Sequence, residues 1–442
     1  MSRYLLGFVL FLVSLSAIAS AEDWPQWLGP DSASEWNAPG IKTSFGEGDL
    51  NIKWRVPCGP GYSGPAVADG KVYLFDYEVT EGTIENNPGR PIALKGNERV
   101  HCIDAASGKV LWTKGMPVDY YVSYPSGPRA TPCVDGDHVY TLGAEGDLVC
   151  RSTSDGEIVW QVNFLKKFGI KTPIWGHSSS PLVIGDLVYV LVGGEGTAIV
   201  AFDKNTGEEA WRALNSNEPG YSAPIAMDLN GKKCVVAFYP SGVAVLDAKN
   251  GAEQWSKPSQ PKYGMSIAVP RKMGEKMFVT GYGEAMMIDG VGSGDPKIIW
   301  KSNSPREALY CSNAPPYFAD DVIYGCDIES SHFMAIDPAT GDRLWENREV
   351  LVGPDAGRGD RHGTGFLVRH TPSGKYFLFN ERGELLVCDL SREQFEILAQ
   401  DKIIEPDGEA FGRDVVWTHP AFAEGCVFAR NNSEIVCVEL TE

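Results

Sequence analysis

The chain has 442 residues, with 58 acidic against 39 basic side chains and a formal charge of −19 at pH 7. A surface this acidic excludes nucleic acid and anionic membrane as partners, because both repel it. Forty-nine glycines and 29 prolines punctuate short strands, as an all-β repeat protein requires, and the length suits one large ring better than several domains.

The chain opens Met1-Ser-Arg3-Tyr4, runs apolar from Leu5 to Leu15, and reaches Ala19-Ser20-Ala21 before Glu22. A charged start, a short apolar run and a small-x-small site read as a signal peptide over 1–21. The run is too short to span a bilayer comfortably, and no cysteine follows the cleavage site to take a lipid. The expectation is a periplasmic or secreted chain with no membrane span after cleavage. Losing Arg3 moves its formal charge from −19 to −20. Residues 22–50 read as an N-terminal extension and 51–442 as the folded domain.

From residue 104 onward one phrase returns about every 50 residues, a period that signals a solenoid, propeller or array. Its clearest copies are Asp104-Ala-Ala-Ser-Gly108-Lys-Val-Leu-Trp112, Asp203 to Trp211, Asp247 to Trp255 and Asp337 to Trp345. Asp bonds amides across a turn, Gly four residues on accepts positive φ, and Trp four further offers a flat surface to bury. Degenerate copies start at Ser152, Asp289, Asp389 and Glu439. The last copy stops before any Trp, whereas Asn51-Ile-Lys-Trp54 has a Trp and no phrase before it. Trp54 therefore belongs to the final copy. The predicted fold is an all-β, eight-bladed propeller whose last blade is closed by the N-terminal strand, which leaves no open sheet edge. The docking tryptophans 112, 160, 211, 255, 300 and 345 are expected between blades.

In each blade the inner strand enters from one face, where the segments 76–99, 114–129, 347–363 and 399–418 are also longest. Turns on the opposite face are short. Long loops on a rigid scaffold carry function. The positions where the chain enters each inner strand repeat an aromatic or His beside a hydroxyl: Tyr62-Ser63, Tyr124-Pro-Ser126, Trp175-Gly-His177-Ser178, Tyr221-Ser222, Tyr263-Gly-Met-Ser266, Tyr310-Cys-Ser312, His362-Gly-Thr364 and Trp417-Thr418-His419. Such a ring suits a flat or sugar-like ligand, with rings stacking and hydroxyls bonding its edge. The candidate ligand-binding residues are Tyr62, Tyr124, Arg129, Trp175, His177, Tyr221, Tyr310, Arg361, His362, Trp417 and His419. Arginines 129, 358 and 361 are placed to clamp carboxylates.

Ten cysteines make disulfides feasible in an exported chain. Cys426 and Cys437 lie symmetrically about Asn431-Asn432 and are the candidate pair; Cys102, Cys150, Cys388 and Cys437 recur at one repeat position and read as core. No CxxC or Cys/His spacing points to zinc, and no metal site is assigned.

The Asp-x-x-(Thr/Ser)-Gly-x-x-x-Trp phrase at 104–112, 203–211 and 337–345 resembles the docking repeat of PQQ-like (pyrroloquinoline-quinone-type) β-propellers. Asp23-Trp24-Pro-Gln-Trp27-Leu-Gly29-Pro30 and Gly127-Pro-Arg129-Ala-Thr131-Pro132 resemble exported bacterial members, some of which are likened to the outer-membrane protein assembly propeller. The resemblance implies Trp packing between blades. Quinoprotein dehydrogenases of this fold carry adjacent cysteines, a Glu/Asn/Asp calcium set and often a haem motif; no Cys-Cys pair or CxxCH occurs in this chain. The expected role is accordingly a non-catalytic binding or scaffolding module for a protein or glycan. The alternatives are an unusual PQQ-binding oxidoreductase, with calcium, and a hydrolase or lyase built on His177 or His362. No cofactor is assigned, and the oligomeric state stays open.

Overall fold

The computed structural model describes residues 22–357 and 359–442; the signal-peptide reading of 1–21 and the side chain of Arg358 lie outside the described residues. Among the described residues, eight sheets of four or five strands follow one another along the chain, with a small two-stranded sheet, Gly408–Ala410 with Arg413–Val415, before the last. Blade 1 comprises Ala66–Ala68, Lys71–Glu81, Ile92–Asp104 and Val110–Val122, and blade 2 Cys133–Asp135, His138–Leu142, Asp147–Ser152 and Ile158–Asn163. Blades 3 to 7 start at Leu182, Ile225, Arg271, Tyr317 and Gly365. Inner strands touch between blades 1 and 2, 2 and 3, 3 and 4, and 5 and 6, and that of blade 1 meets that of blade 8. The molecule is a β-propeller.

Blade 8 closes as the unowned Trp54 requires. Asn51–Pro57 pairs antiparallel with Glu434–Glu439, Ile52 opposite Val438 and Val56 opposite Ile435. The last blade is thus built from both ends of the chain.

The repeat phrase has a simple mechanical meaning. The Asp carboxylate caps its turn: Asp104 Oδ1 accepts from Ser107 N at 2.8 Å and Asp203 Oδ1 from Thr206 N at 2.9 Å. The Gly closes the turn at positive φ, 72° at Gly108 and 73° at Gly251. Its missing Cβ serves the preceding blade, whose Trp lies flat on it: a Cβ on Gly251 would meet the Trp211 ring at 2.5–3.0 Å. Each indole then donates to a carbonyl of the next turn, Trp54 to Ala105 at 2.9 Å, Trp160 to Lys204 at 2.9 Å and Trp211 to Ala248 at 2.9 Å. Trp112, Trp255, Trp300 and Trp345 do the same to Thr153, Val291, Pro338 and Ser391. One Asp, one Gly and one Trp therefore fasten blade 8 to 1, 2 to 3, 3 to 4 and 5 to 6.

The junction of blades 7 and 8 has no such Trp, and the extension bridges it instead. Lys42 N donates to Leu440 O at 2.7 Å, and Asp401 accepts from Gly48 N at 2.9 Å and Leu50 N at 3.1 Å. Earlier residues of the extension run around the inside of the channel at its short-turn end. Trp24 exchanges two 2.8 Å backbone bonds with Val67 of blade 1, and Pro25 O accepts from Val134 N of blade 2 at 2.8 Å. Arg271 of blade 5 donates to Ser32 O at 2.7 Å, and Glu35–Trp36 adds a fifth, parallel strand to blade 7. Trp24, Leu28 and Trp36 are fully buried there, so the channel is filled at that end.

Two sequence expectations are corrected. Segments 76–99 and 114–129 are not chiefly loop, because the middle strands of blade 1 extend to Glu81 and restart at Ile92, and its outer strand continues to Val122. Cys426 and Cys437 are not directly opposite, since the hairpin pairs Arg430 with Ile435 and sets Cys426 against Glu439 and Cys437 against Phe428, but they are diagonal neighbours whose thiols hydrogen-bond to each other. All ten cysteines are free, nine of them buried.

Candidate functional site

Filling one end of the channel turns the other into a cul-de-sac. On the long-loop face a cavity of about 950 Å³ opens along the axis. Trp27 of the extension and His419 of blade 8 lie in its wall with ring centroids 5.0 Å apart, and His419 packs on Phe366 at 5.0 Å. Because Trp27 enters from the filled end, these two rings make the floor. Burial, assisted by the nearby Arg271 charge, pushes the His419 pKa down to about 4, and its Nδ1 lies 2.6 Å from Pro420 O. The imidazole is therefore neutral at physiological pH, with Nδ1–H donating.

Of the eleven residues expected from sequence, Tyr62, Tyr124, Arg129, Trp175, Tyr221, His362, Trp417 and His419 line this cavity. They form two aromatic groups. Trp175 and Tyr221 stand 5.3 Å apart, and the Trp175 indole is fixed by donating to Pro88 O at 3.0 Å. On another side Tyr124 meets Trp417 at 6.1 Å, and His362 stacks on Phe411 at 4.7 Å. Burial and the charges of Arg413 and Arg361 hold the His362 pKa near about 4.

The other three lie elsewhere. His177 is buried against Phe164 inside blade 2, neither ring nitrogen has a partner, and burial takes its pKa to about 3. Tyr310 is buried in blade 6, its hydroxyl donating to Ser304 O at 2.7 Å. Arg361 is exposed and absent from the wall. Arg129 touches the cavity but is no clamp: its guanidinium donates to the carbonyls of Ser123, Tyr124 and Gly127 and lies over the Tyr62 ring at 5.4 Å. Several hydroxyls of the repeated signature are likewise spent on backbone, Ser63 on Phe75 O at 2.7 Å and Ser178 on Tyr221 O at 3.0 Å.

Sequence reasoning missed three features. The floor residue Trp27 belongs to a segment outside the repeat. Tyr263 and Tyr282 stack at 5.9 Å in the wall, but Tyr282 sits in a turn rather than where an inner strand begins. Glu381 of blade 7 is buried, accepts from Trp417 Nε1 at 3.0 Å, Thr364 N at 3.0 Å and Arg413 Nε at 2.6 Å, and so holds one side of the mouth. Desolvation raises its pKa, and the Arg413 bond works against that.

The family model described as outer membrane protein assembly factor BamB matches residues 96–347 and 241–442, most of the chain. The chain belongs to the BamB family. The BamB of Burkholderia pseudomallei (strain K96243) is 29% identical over 268 residues, which is 58% of this chain and 62% of that protein; the match thus covers less than two thirds of the relative. Among solved structures, BamB from Moraxella catarrhalis is 14% identical with a TM-score of 0.58, covering 88% of this chain and 99% of that one. The quinohemoprotein alcohol dehydrogenase of Comamonas testosteroni is 13% identical with a TM-score of 0.60, covering 95% and 80%. These two likenesses establish a shared fold.

That fold raises the fit of the quinone itself. PQQ carries three carboxylates, and holding it through calcium asks for free cations and a carboxylate cluster in the funnel. Among the described residues Arg129 is the one Lys or Arg in the wall, and its guanidinium donates to three carbonyls. Among the described residues no group of three or more His, Cys, Asp or Glu comes together to hold a metal ion. The wall residues of this BamB-family chain do not fit that group.

Proposed function

We propose that this chain is an exported, periplasmic, non-catalytic scaffold that engages a protein partner through its long-loop face. The observation that carries the reading is the asymmetry of the ring. One end is filled by the chain's own Trp24, Leu28 and Trp36, and the other presents a wide aromatic mouth ringed by the long connections. Exposed aromatic rings at that rim, such as Tyr263 at 74% and Phe411 at 37% exposure, are the side chains that anchor protein interfaces. Membership of the BamB family supports it, since the Burkholderia relative is named an outer membrane protein assembly factor. No helix among the described residues is long and apolar enough to cross a membrane.

Site-specific photo-crosslinking in cells tests this. A crosslinker at Tyr263 or Phe411 is expected to trap a discrete partner band, whereas one at Asn250 or Gly231, on short turns of the opposite face, is not. Equal trapping from both faces, or none from the mouth, refutes the assignment.

A further inference from the structure

We propose that the blind cavity is a second, small-ligand site within that face, and that it receives the end of a neutral oligosaccharide chain. This rests on the reading of the long-loop face as the binding face. Three observations point to the ligand's chemistry. Its wall is dominated by rings, among them Trp175, Tyr221, Tyr263, Tyr282 and Trp417, and ring faces pack against the apolar C–H faces of sugars while leaving their edges for hydrogen bonds.

The polar complement is also the right kind. Asn217, Glu218 and Asn313 reach the cavity, and amide and carboxylate groups bond hydroxyls in either direction or as acceptors. Arg129, by contrast, has little left for an anion, since three of its five N–H donors are committed to carbonyls. The Glu218 carboxylate in the wall and the chain's charge of −19 repel anions further. A neutral polyol satisfies this set; a polycarboxylate or phosphate does not.

Depth decides the mode of binding. Trp27 and His419 meet at one end of the cavity, backed by Trp24 stacked on His419 and by buried Leu28 and Trp36, an arrangement that favours a chain end over a threaded polymer. A cavity of about 950 Å³ holds a few sugar rings rather than one.

The test is calorimetric titration of the mature protein with neutral hexasaccharides of β-1,4-glucose, α-1,4-glucose and β-1,4-N-acetylglucosamine, with PQQ plus calcium as the contrasting arm. At least one hexasaccharide should saturate, and Trp175→Ala should weaken it at least tenfold. Leu111→Ala, on the outer edge of blade 1 and 45% exposed, should leave it unchanged. Asn217→Ala, at an exposed loop position, serves as a second variant should Trp175→Ala fail to fold. No saturation by any hexasaccharide up to about 10 mM, tighter binding of PQQ, or indifference to both wall substitutions overturns the proposal. If the sugars fail while crosslinks from the mouth persist, the sugar site falls and the partner reading stands; if the crosslinks fail while a sugar saturates, the reverse holds.

Discussion

Gly251 tests the fastening mechanism of the ring. Its φ of 73° makes any side chain strained, by about 1–2 kcal/mol. A Cβ there would also sit 2.5–3.0 Å from the Trp211 ring, and forcing a methyl group into a packed contact costs about 1–3 kcal/mol. Gly251→Ala should therefore destabilise by about 2–5 kcal/mol in total. Gly231 supplies the control: its φ is 78°, yet nothing lies within 4 Å of the point where a Cβ would stand, so Gly231→Ala should cost the backbone part alone. Trp211→Ala should cost about 3–5 kcal/mol as a buried aromatic. In the double variant the clash has no partner, so the cost should fall short of the sum by about 1–3 kcal/mol. Urea unfolding followed by far-UV circular dichroism measures all four, avoiding the fluorescence change that removal of a Trp brings. If Gly251→Ala is no worse than Gly231→Ala, or if the cycle is additive, the stacking of Trp on Gly is not what joins these blades.

Deleting residues 22–57 should lower the unfolding temperature of the whole ring, since it removes the outer strand of blade 8 and the channel filling together; an unchanged midpoint refutes closure by the N-terminal segment. For His177, whose folded pKa of about 3 lies below its unfolded value near 6.5, the unfolded chain binds the extra proton. Stability from this group is complete above about pH 6.5 and is lost as pH falls toward about 3. Both ring nitrogens lack partners, so His177→Leu should be neutral or stabilising at pH 7 and should lose less stability between pH 7 and 4.5 than the parent. Thermal melts at the two pH values check this, and a steeper loss in the variant contradicts it.

The ring was readable because its turn chemistry is local. Asp, Gly and Trp at fixed offsets each answer a demand within one blade or between two neighbours, so eight noisy copies reinforce one another. Even the closure followed, from a Trp54 without a phrase and a Glu439 phrase without a Trp. The extension gave no such purchase: Trp24, Trp27 and Trp36 occur once each, and nothing in their spacing says that they encircle a channel. Cys426 and Cys437 ended diagonal rather than directly opposite for a related reason, because a symmetric sequence about Asn431-Asn432 assumes a two-residue turn, while the chain pairs from Arg430 and Ile435.

The mouth shows why a repeated motif is weaker information about chemistry than about folding. A signature copied into every blade is selected first for what every blade needs, and the start of an inner strand needs buried carbonyls satisfied and a wedge filled. Ser63, Ser178 and Tyr310 meet that need with hydrogen bonds to backbone, and His177 meets it as plain packing. What distinguishes the cavity is what departs from the repeat: Trp27 from the extension, Tyr282 from a turn, and Glu381, which fastens Trp417 and Arg413 in one blade alone. Ligand selectivity should therefore reside in these unrepeated residues, because eightfold equivalents can give a ring its aromatic character but cannot tell one side of a ligand from another.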